Sequence, residues 1–168
     1  LLVGLLCSLP TAAVAQPSTP AVTTCSGQVI LNPGFESGPK AWSAPAGVIT
    51  NSGVEPPHGG SWDAVLGVLG GTETVSQQIS IPAGCHGTLS FWLHIDTDET
   101  TTTTAYDKLT LKIGTTTLGT WSNLNHNLGY SQKNLLLSAG SYLLSFTATE
   151  DATLLTTFVL DDVTLTLS

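Results

Sequence analysis

The sequence predicts an all-β domain: an antiparallel β-sandwich of the jelly-roll type, carrying one disulfide. Three observations predict it. The 168 residues include 26 Thr and 17 Gly but no Met, a usage that favours strands and turns over helices. From residue 28 onward the chain is a series of short alternating apolar runs cut by Gly, Pro and Asn, and no stretch combines helical periodicity with caps. Hydrophobic residues make up 41% and charged residues only 10%, too apolar for a disordered chain, and the length suffices for one domain with a real core.

Taken in order, residues 1–15 read as an export signal. Leu1, Leu2, Val3, Leu5 and Leu6 form an apolar stretch that Pro10 breaks, and Ala13-Val14-Ala15 has the small-x-small form that is cleaved before Gln16. The start Met and basic flank of such a signal are missing, so the chain is expected to be truncated there. The stretch is too short to span a bilayer, which takes about 20 residues, and no membrane insertion is expected after cleavage. Lipid anchoring through Cys7 would need small residues ahead of it, where Leu5 and Leu6 stand. Residues 16–24, rich in Pro, Ser and Thr, read as a linker, and residues 25–168 as the sandwich domain.

Ten strands are expected within it, at 28–32, 47–50, 62–68, 73–81, 88–95, 107–113, 116–121, 130–137, 142–149 and 157–167. Leu89, Phe91, Leu93 and Ile95 share one face, as do Leu109, Leu111 and Ile113, and Tyr142, Leu144 and Phe146. About ten short strands at this spacing make a sandwich or barrel. The stretch 96–105, with three acids and five consecutive Thr, has no apolar face to bury and reads as a long connection that orders only in contact with something.

Once the signal is removed, Cys25 and Cys85 remain. In an exported protein two cysteines most simply form one disulfide; two free thiols are the other reading, and two cysteines alone fall short of a zinc site. A bridge would close a loop of about 60 residues, worth about 4 kcal/mol in the chain-entropy model.

Charge excludes some partners. Twelve acidic residues against four Lys and no Arg give −8, which argues against nucleic acid and against an anionic membrane surface. It also leaves buried acids without their usual partner. In the last strand Asp161 falls on the parity of Val159, Val163, Leu165 and Leu167, toward the core or its rim. A buried carboxylate without a partner costs several kcal/mol. A calcium ion, the hard cation suited to carboxylates in an exported protein, is one partner. Backbone N–H groups at a bulge between Asp161 and Asp162, which would flip the parity, are the other.

Residues 32–38 (Asn-Pro-Gly-Phe-Glu-Ser-Gly) with Trp42, then 57–62 (Pro-His-Gly-Gly-Ser-Trp), and finally 158–163 (Phe-Val-Leu-Asp-Asp-Val) follow one order. That order resembles the galactose-binding-like jelly rolls, in particular family 4/9/22-type carbohydrate-binding modules. The segments 81–97 and 105–109 are similar to accessory domains of secreted bacterial peptidases. The resemblance implies a structural calcium joining the first loop to the last strand, with side-chain oxygens from Glu36 and Asp161 and backbone carbonyls from Gly34 and Ser61.

Sugars are held by aromatic faces with amides or carboxylates on their hydroxyls. Trp92 with His94 lies opposite the core parity of its strand; both are candidate ligand residues, or else Trp92 is core with both faces of the strand covered. Trp121 opens an amide-rich loop whose Asn123 and Asn125 either read hydroxyls or make a plain connection. Trp42 and Trp62 read as structural lids over the first loop. Asp96, Asp98, Glu99 and Asp107 form a second acidic cluster, either a second cation site or a solvated tip. No nucleophile elbow, zinc-protease motif or phosphate loop is present. The expectation is therefore a secreted or envelope-located, non-catalytic module that binds a glycan or cell-surface polysaccharide and carries a structural calcium. The alternative, of a different class, is a structural, protein-interaction or adhesion domain with no sugar ligand.

Overall fold

The computed structural model describes residues 24–53 and 55–168. The expected signal and most of the expected linker lie outside the described residues. Seven strands form: β1 (Ile49–Thr50), β2 (Asp63–Leu66), β3 (Thr72–Thr97), β4 (Lys108–Ile113), β5 (Thr116–Ser122), β6 (Ser131–Thr149) and β7 (Thr156–Leu167), with one 3-10 turn at Asn123–Asn125. Among the described residues no helix is long and apolar enough to cross a membrane.

The strands form one antiparallel sheet in the order β1-β2-β7-β3-β6-β4-β5. That sheet folds over on itself. The first half of β3 pairs with the second half of β6, which continues into β4 and β5. The second half of β3 lies between the first half of β6 and β7, which continues into β2 and β1. The two halves face each other across the core, where Phe91 packs edge-on against Phe146 and Trp121, at 5.0 and 5.6 Å between ring centroids. The expected alternation is visible in the burial of Leu89, Phe91, Leu93, Ile95, Leu109, Leu111, Leu144 and Phe146, all in one apolar cluster.

Two differences from the expected strands have physical causes. The runs 73–81 and 88–95 are one strand, and so are 130–137 and 142–149; the register skips between Ile81 and His86. Pro82 cannot donate to a ladder, and the chain bulges there and continues instead of turning back. The run 28–32 makes no strand. Gln28 forms an isolated bridge to Thr166, and its side-chain oxygen accepts the N–H groups of Val29, Ile30 and Leu165, taking over bonds that a ladder would otherwise make. Cys25 and Cys85 are disulfide-bonded, with 5.4 Å between their Cα atoms, so the N-terminal segment is tied to the bulge where the sheet folds over.

Candidate functional site

The layer made of β1, β2, β7 and the second half of β3 has one face on the core and one face outward. What stands on the outward face is decided by a bulge in β7. Ser90 pairs with Thr164 and Trp92 with Asp161, so two residues, Asp162 and Val163, stand opposite Phe91 alone. Asp162 takes a left-handed backbone, φ +49°, which Asp tolerates better than most residues. The bulge reverses the parity: Phe158 and Leu160 before it, and Val163 and Leu165 after it, all lie in the core cluster, whereas Val159 does not.

Counting by twos put Asp161 on the parity of Val159 and Val163; the structure contains the other reading, a bulge at Asp161 and Asp162 that reverses that parity. Asp161 is buried, at 0% exposure, but on the outward face beside Trp92, beneath loops that cover it. Its Oδ2 accepts the N–H of Gly59 at 2.9 Å and its Oδ1 that of Asp162 at 2.7 Å. Burial pushes its carboxyl up to about 6, with the neighbouring Asp162 charge adding to the rise and the two N–H groups opposing it.

The first covering loop is built by Asn32, whose amide donates to the carbonyls of Gly38 and Lys40 while its Oδ1 accepts the N–H of Ser37. Trp42 donates its indole N–H to the Asn32 carbonyl and packs on Phe35, and Trp62 lies against Gly38, so both tryptophans are lids. The Pro33 carbonyl accepts the Val163 N–H and fastens the loop to β7. Glu36 Oε1 accepts the N–H groups of Ser61 and Trp62 at 2.9 and 3.0 Å. Of the residues expected around a metal, Ser61 thus meets Glu36 through its N–H. Gly34 leaves room for two carboxylates: a Cβ there would stand 3.2 Å from Asp162 Oδ1 and 3.8 Å from Asp161 Oδ1, with only the Glu36 methylene Cγ near it, at 3.9 Å. Gly60 has no room for a side chain because the Glu36 carboxylate fills it.

The carboxylates of Asp161 and Asp162 are donors that suit a hard cation, whereas His58 beside them offers a nitrogen, which calcium sites do not use. Asp161, Asp162 and His58 each offer a ligand atom within 4.8 Å of the others, the span that opposite ligands of a calcium ion subtend. Asp162 Oδ2 is engaged by His58 Nδ1 at 2.7 Å, and the carboxylate oxygens that accept one N–H each retain a second lone pair. Among the described residues no Lys is paired with any of the three acids, the ion pairs being His58–Asp162 and His94–Glu55.

The rings gather on the same outward face. His58 stacks on Trp92 at 4.0 Å and 16°; Tyr130 meets His58 edge-on and His94 at a tilt, and its hydroxyl donates to the Pro56 carbonyl. His94 is held by the Gly129 carbonyl and lies 3.8 Å from Glu55. Asp63, one residue ahead of the Ala64 that pairs with Leu160, shares this face at 3% exposure, with Oδ2 unpartnered. Burial first, then the charges of Asp161 and Glu55, push its carboxyl up to about 7. Burial and the carboxylates of Asp63, Asp161 and Glu55 also raise the Tyr130 phenol. Beyond His94 the face opens into a cleft of about 170 Å³ lined by Glu55, Asp96, Thr97, Asp98, Leu155 and Thr157.

Three of the expected ligand residues are placed elsewhere. Trp121 closes the core against Phe91 and is no platform. Asn123 is buried, its amide spanning the Asp107 N–H and the Thr104 carbonyl. Asn125 caps the 3-10 turn by accepting the Ser122 N–H. The amide-rich segment is a folded connection. Conversely, His58, Tyr130, Asp63 and Glu55 join Trp92 and His94. The outward parity of Asp63 in its strand was a usable signal; the sequence 51–61 offers no periodicity that could have placed Glu55 or His58.

No protein-family model and no curated protein matches this chain in sequence. Solved structures do match in shape. The carbohydrate-binding module TmCBM61, solved in complex with β-1,4-galactotriose, is 20% identical, with a TM-score of 0.51 over 85% of this chain and 99% of its own. The K3 cleaved adhesin domain of Lys-gingipain from Porphyromonas gingivalis W83 is 19% identical, with a TM-score of 0.60 over 84% and 98%. A Stig cyclase from Fischerella sp. TAU is 14% identical, with a TM-score of 0.53 over 85% and 98%. The chain therefore has the jelly-roll fold of carbohydrate-binding modules and of this adhesin domain, a fold that also carries enzymes.

Proposed function

We propose that this protein is an exported, non-catalytic carbohydrate-binding module in which a calcium ion ties the first loop to β7 through Glu36, Asp161 and Asp162. The observation that carries the sugar reading is the outward face of β3: the ring cluster of Trp92, His58, His94 and Tyr130 is joined, through the contact of His94 with Glu55, to a small cleft whose wall offers three carboxylates and two threonine hydroxyls but none of the rings. Apolar ring surface beside fixed hydroxyl acceptors is the chemistry that sugar recognition requires. The cleft is smaller than the ~300 Å³ lower end of ordinary ligand pockets, which suits the end of a glycan chain more than its middle. The disulfide supports export, since it persists in an oxidising compartment. The calcium reading is supported by the meeting of the Asp161 and Asp162 carboxylates at Gly34, with Glu36 in the loop that covers them, in a chain without Arg.

A glycan array probed with the whole protein, once with calcium and once with chelator, tests this. Binding to a defined set of saccharides, lost in Glu55→Gln and Asp96→Asn while the fold is kept, is the expected result; no saccharide bound under either condition overturns it. A protein-interaction or adhesion domain is the second reading, favoured by the stacking of His58 over Trp92, which occupies one ring face that a sugar would use.

A further inference from the structure

The layer formed by the first half of β3, the second half of β6, β4 and β5 has an outward face of its own, on the opposite side of the sandwich from Trp92. Val75, Leu144, Leu109 and Leu111 point into the core, so the residues that alternate with them point out. The register sets these in rows across the strands. Thr74, Thr147, Thr110 and Thr120 stand in one row, and the hydroxyls of Thr74 and Thr147 are 2.9 Å apart. On one side of that row lie Thr72, Thr149 and Lys108, and on the other Ser76, Ser145, Lys112 and Thr117. Gln78 with Leu143, then Ser80 with Ser141, extend the face further.

No Asp or Glu belongs to these rows, although the chain carries 12 acids and a charge of −8. Two of its four lysines do. Lys108 and Lys112 lie on one strand, about 13 Å apart at about 3.3 Å per residue, with the threonine row between them. Among the described residues neither is in an ion pair. These rows hold no aromatic ring, so they offer neutral sugars no stacking surface. A densely charged polyanion is repelled by the chain as a whole. What fits is a chain whose negative charges are sparse and separated by uncharged, hydroxyl-rich units. The ammonium groups meet the charges, and the threonine hydroxyls meet the units between. Lysine is a point charge that serves a single carboxylate, whereas two-pronged recognition of phosphate or sulfate draws on Arg, which is absent. Short hydroxyl side chains in register leave no recess for the alternate side chains of an acidic peptide.

We propose that this face binds a linear polysaccharide whose uronate carboxylates are spaced by neutral sugars, with Lys108 and Lys112 on the carboxylates and Thr110, Thr120 and Thr147 on the hydroxyls between them. It is a second surface, on the layer opposite the ring cluster and its cleft. It depends neither on the sugar reading there nor on the ion at the first loop.

Affinity electrophoresis of the full chain tests the proposal, in gels holding hyaluronan, in which a glucuronate alternates with an uncharged sugar. The comparison gels hold carboxyl-reduced hyaluronan, polygalacturonate (a charge on every sugar) or polyglutamate, at equal concentrations of repeating unit or carboxylate. The expected result is retardation by hyaluronan, less by polygalacturonate, and none by the carboxyl-reduced polymer. Lys108→Gln and Lys112→Gln each weaken binding about two- to fivefold, the range of a solvent-exposed ion pair, and the double variant by the product of the two, with melting temperatures unchanged. Lys133→Gln, on the half of β6 that belongs to the other layer, and Glu55→Gln, in the cleft, bind hyaluronan as the wild type does. Equal migration with and without the carboxylates overturns the proposal, and so does a loss in Lys133→Gln equal to that in Lys112→Gln. Retardation by polyglutamate as strong as by hyaluronan overturns it too, because the face would then read charge alone and suit an acidic protein segment. Loss of hyaluronan binding in Glu55→Gln would place the polymer in the cleft instead, whereas failure of the cleft variants on neutral saccharides leaves this surface untouched.

Discussion

Asp63→Asn isolates the cost of one buried charge. Asp63 is 3% exposed, its Oδ2 is orphaned, and its carboxyl is raised from 3.8 to about 7 by burial and by the charges of Asp161 and Glu55. An unfolded Asp63 releases its proton near pH 4, the folded one near pH 7. Between those values the folded protein holds the extra proton, so wild-type stability falls as pH rises from about 4 to about 7 and is level above that. Three pH units at about 1.4 kcal/mol each set an upper limit of about 4 kcal/mol. We expect about 2 kcal/mol, because local relaxation and water entry soften buried charges. Asn has the same shape and no charge, and its amide can donate toward Asp161 and Glu55. The assay is urea unfolding of both proteins in chelator at pH 4 and pH 8. The stability of Asp63→Asn relative to wild type should improve by about 2 kcal/mol between the two pH values. A relative stability that stays constant, or that moves toward the wild type as pH rises, would refute the reasoning and mean that the ionised carboxylate has a partner.

Three further outcomes follow from the packing and the first loop. Replacing Cys25 and Cys85 together by Ser should lower stability by about 4 kcal/mol in the chain-entropy model for a loop of this length, measured by denaturant unfolding under oxidising conditions; no loss would show that the bulge holds the N-terminal segment unaided. Phe91→Ala, which empties the space between Phe146 and Trp121, should cost about 3–5 kcal/mol, and Trp121→Ala a comparable amount, with glycan binding per folded molecule unchanged if Trp121 is core. Asp161→Ala should lower the melting temperature in calcium by several degrees and shrink the difference between calcium and chelator; an undiminished difference would remove Asp161 from the ion.

Much of the fold was legible because alternation survives wherever one face of a strand is buried. Leu89 to Ile95 and Leu109 to Ile113 read correctly for that reason. Alternation cannot say whether two strands in succession are separated by a turn or only by a bulge, and Pro82-Ala83-Gly84 has the composition of both; two pairs of expected strands were therefore single long ones. At the site, the burial of Asp161 was readable, and the bulge that reverses its direction was one of the two readings that burial allowed, though counting alone could not choose it. Direction depends on the left-handed backbone at Asp162, which period-two counting passes over. The same limit explains Trp121, Asn123 and Asn125. A tryptophan followed by amides looks like a ligand loop until cross-sheet contacts, here with Phe91, and main-chain partners, here Asp107 and Thr104, are known. His58 comes from a segment with no period at all, and only its landing place on Trp92 gives it meaning.

The Cys25–Cys85 bond has a mechanical consequence. Ahead of Cys25, tension along the polypeptide passes through sulfur into residue 85, at the middle of the longest strand, and does not peel the weak bridge at Gln28 from the margin of the sheet. A pull from that side is therefore borne by the ladders β3 shares with both neighbours at once, whereas in a reducing medium the same pull would unzip the molecule from its rim.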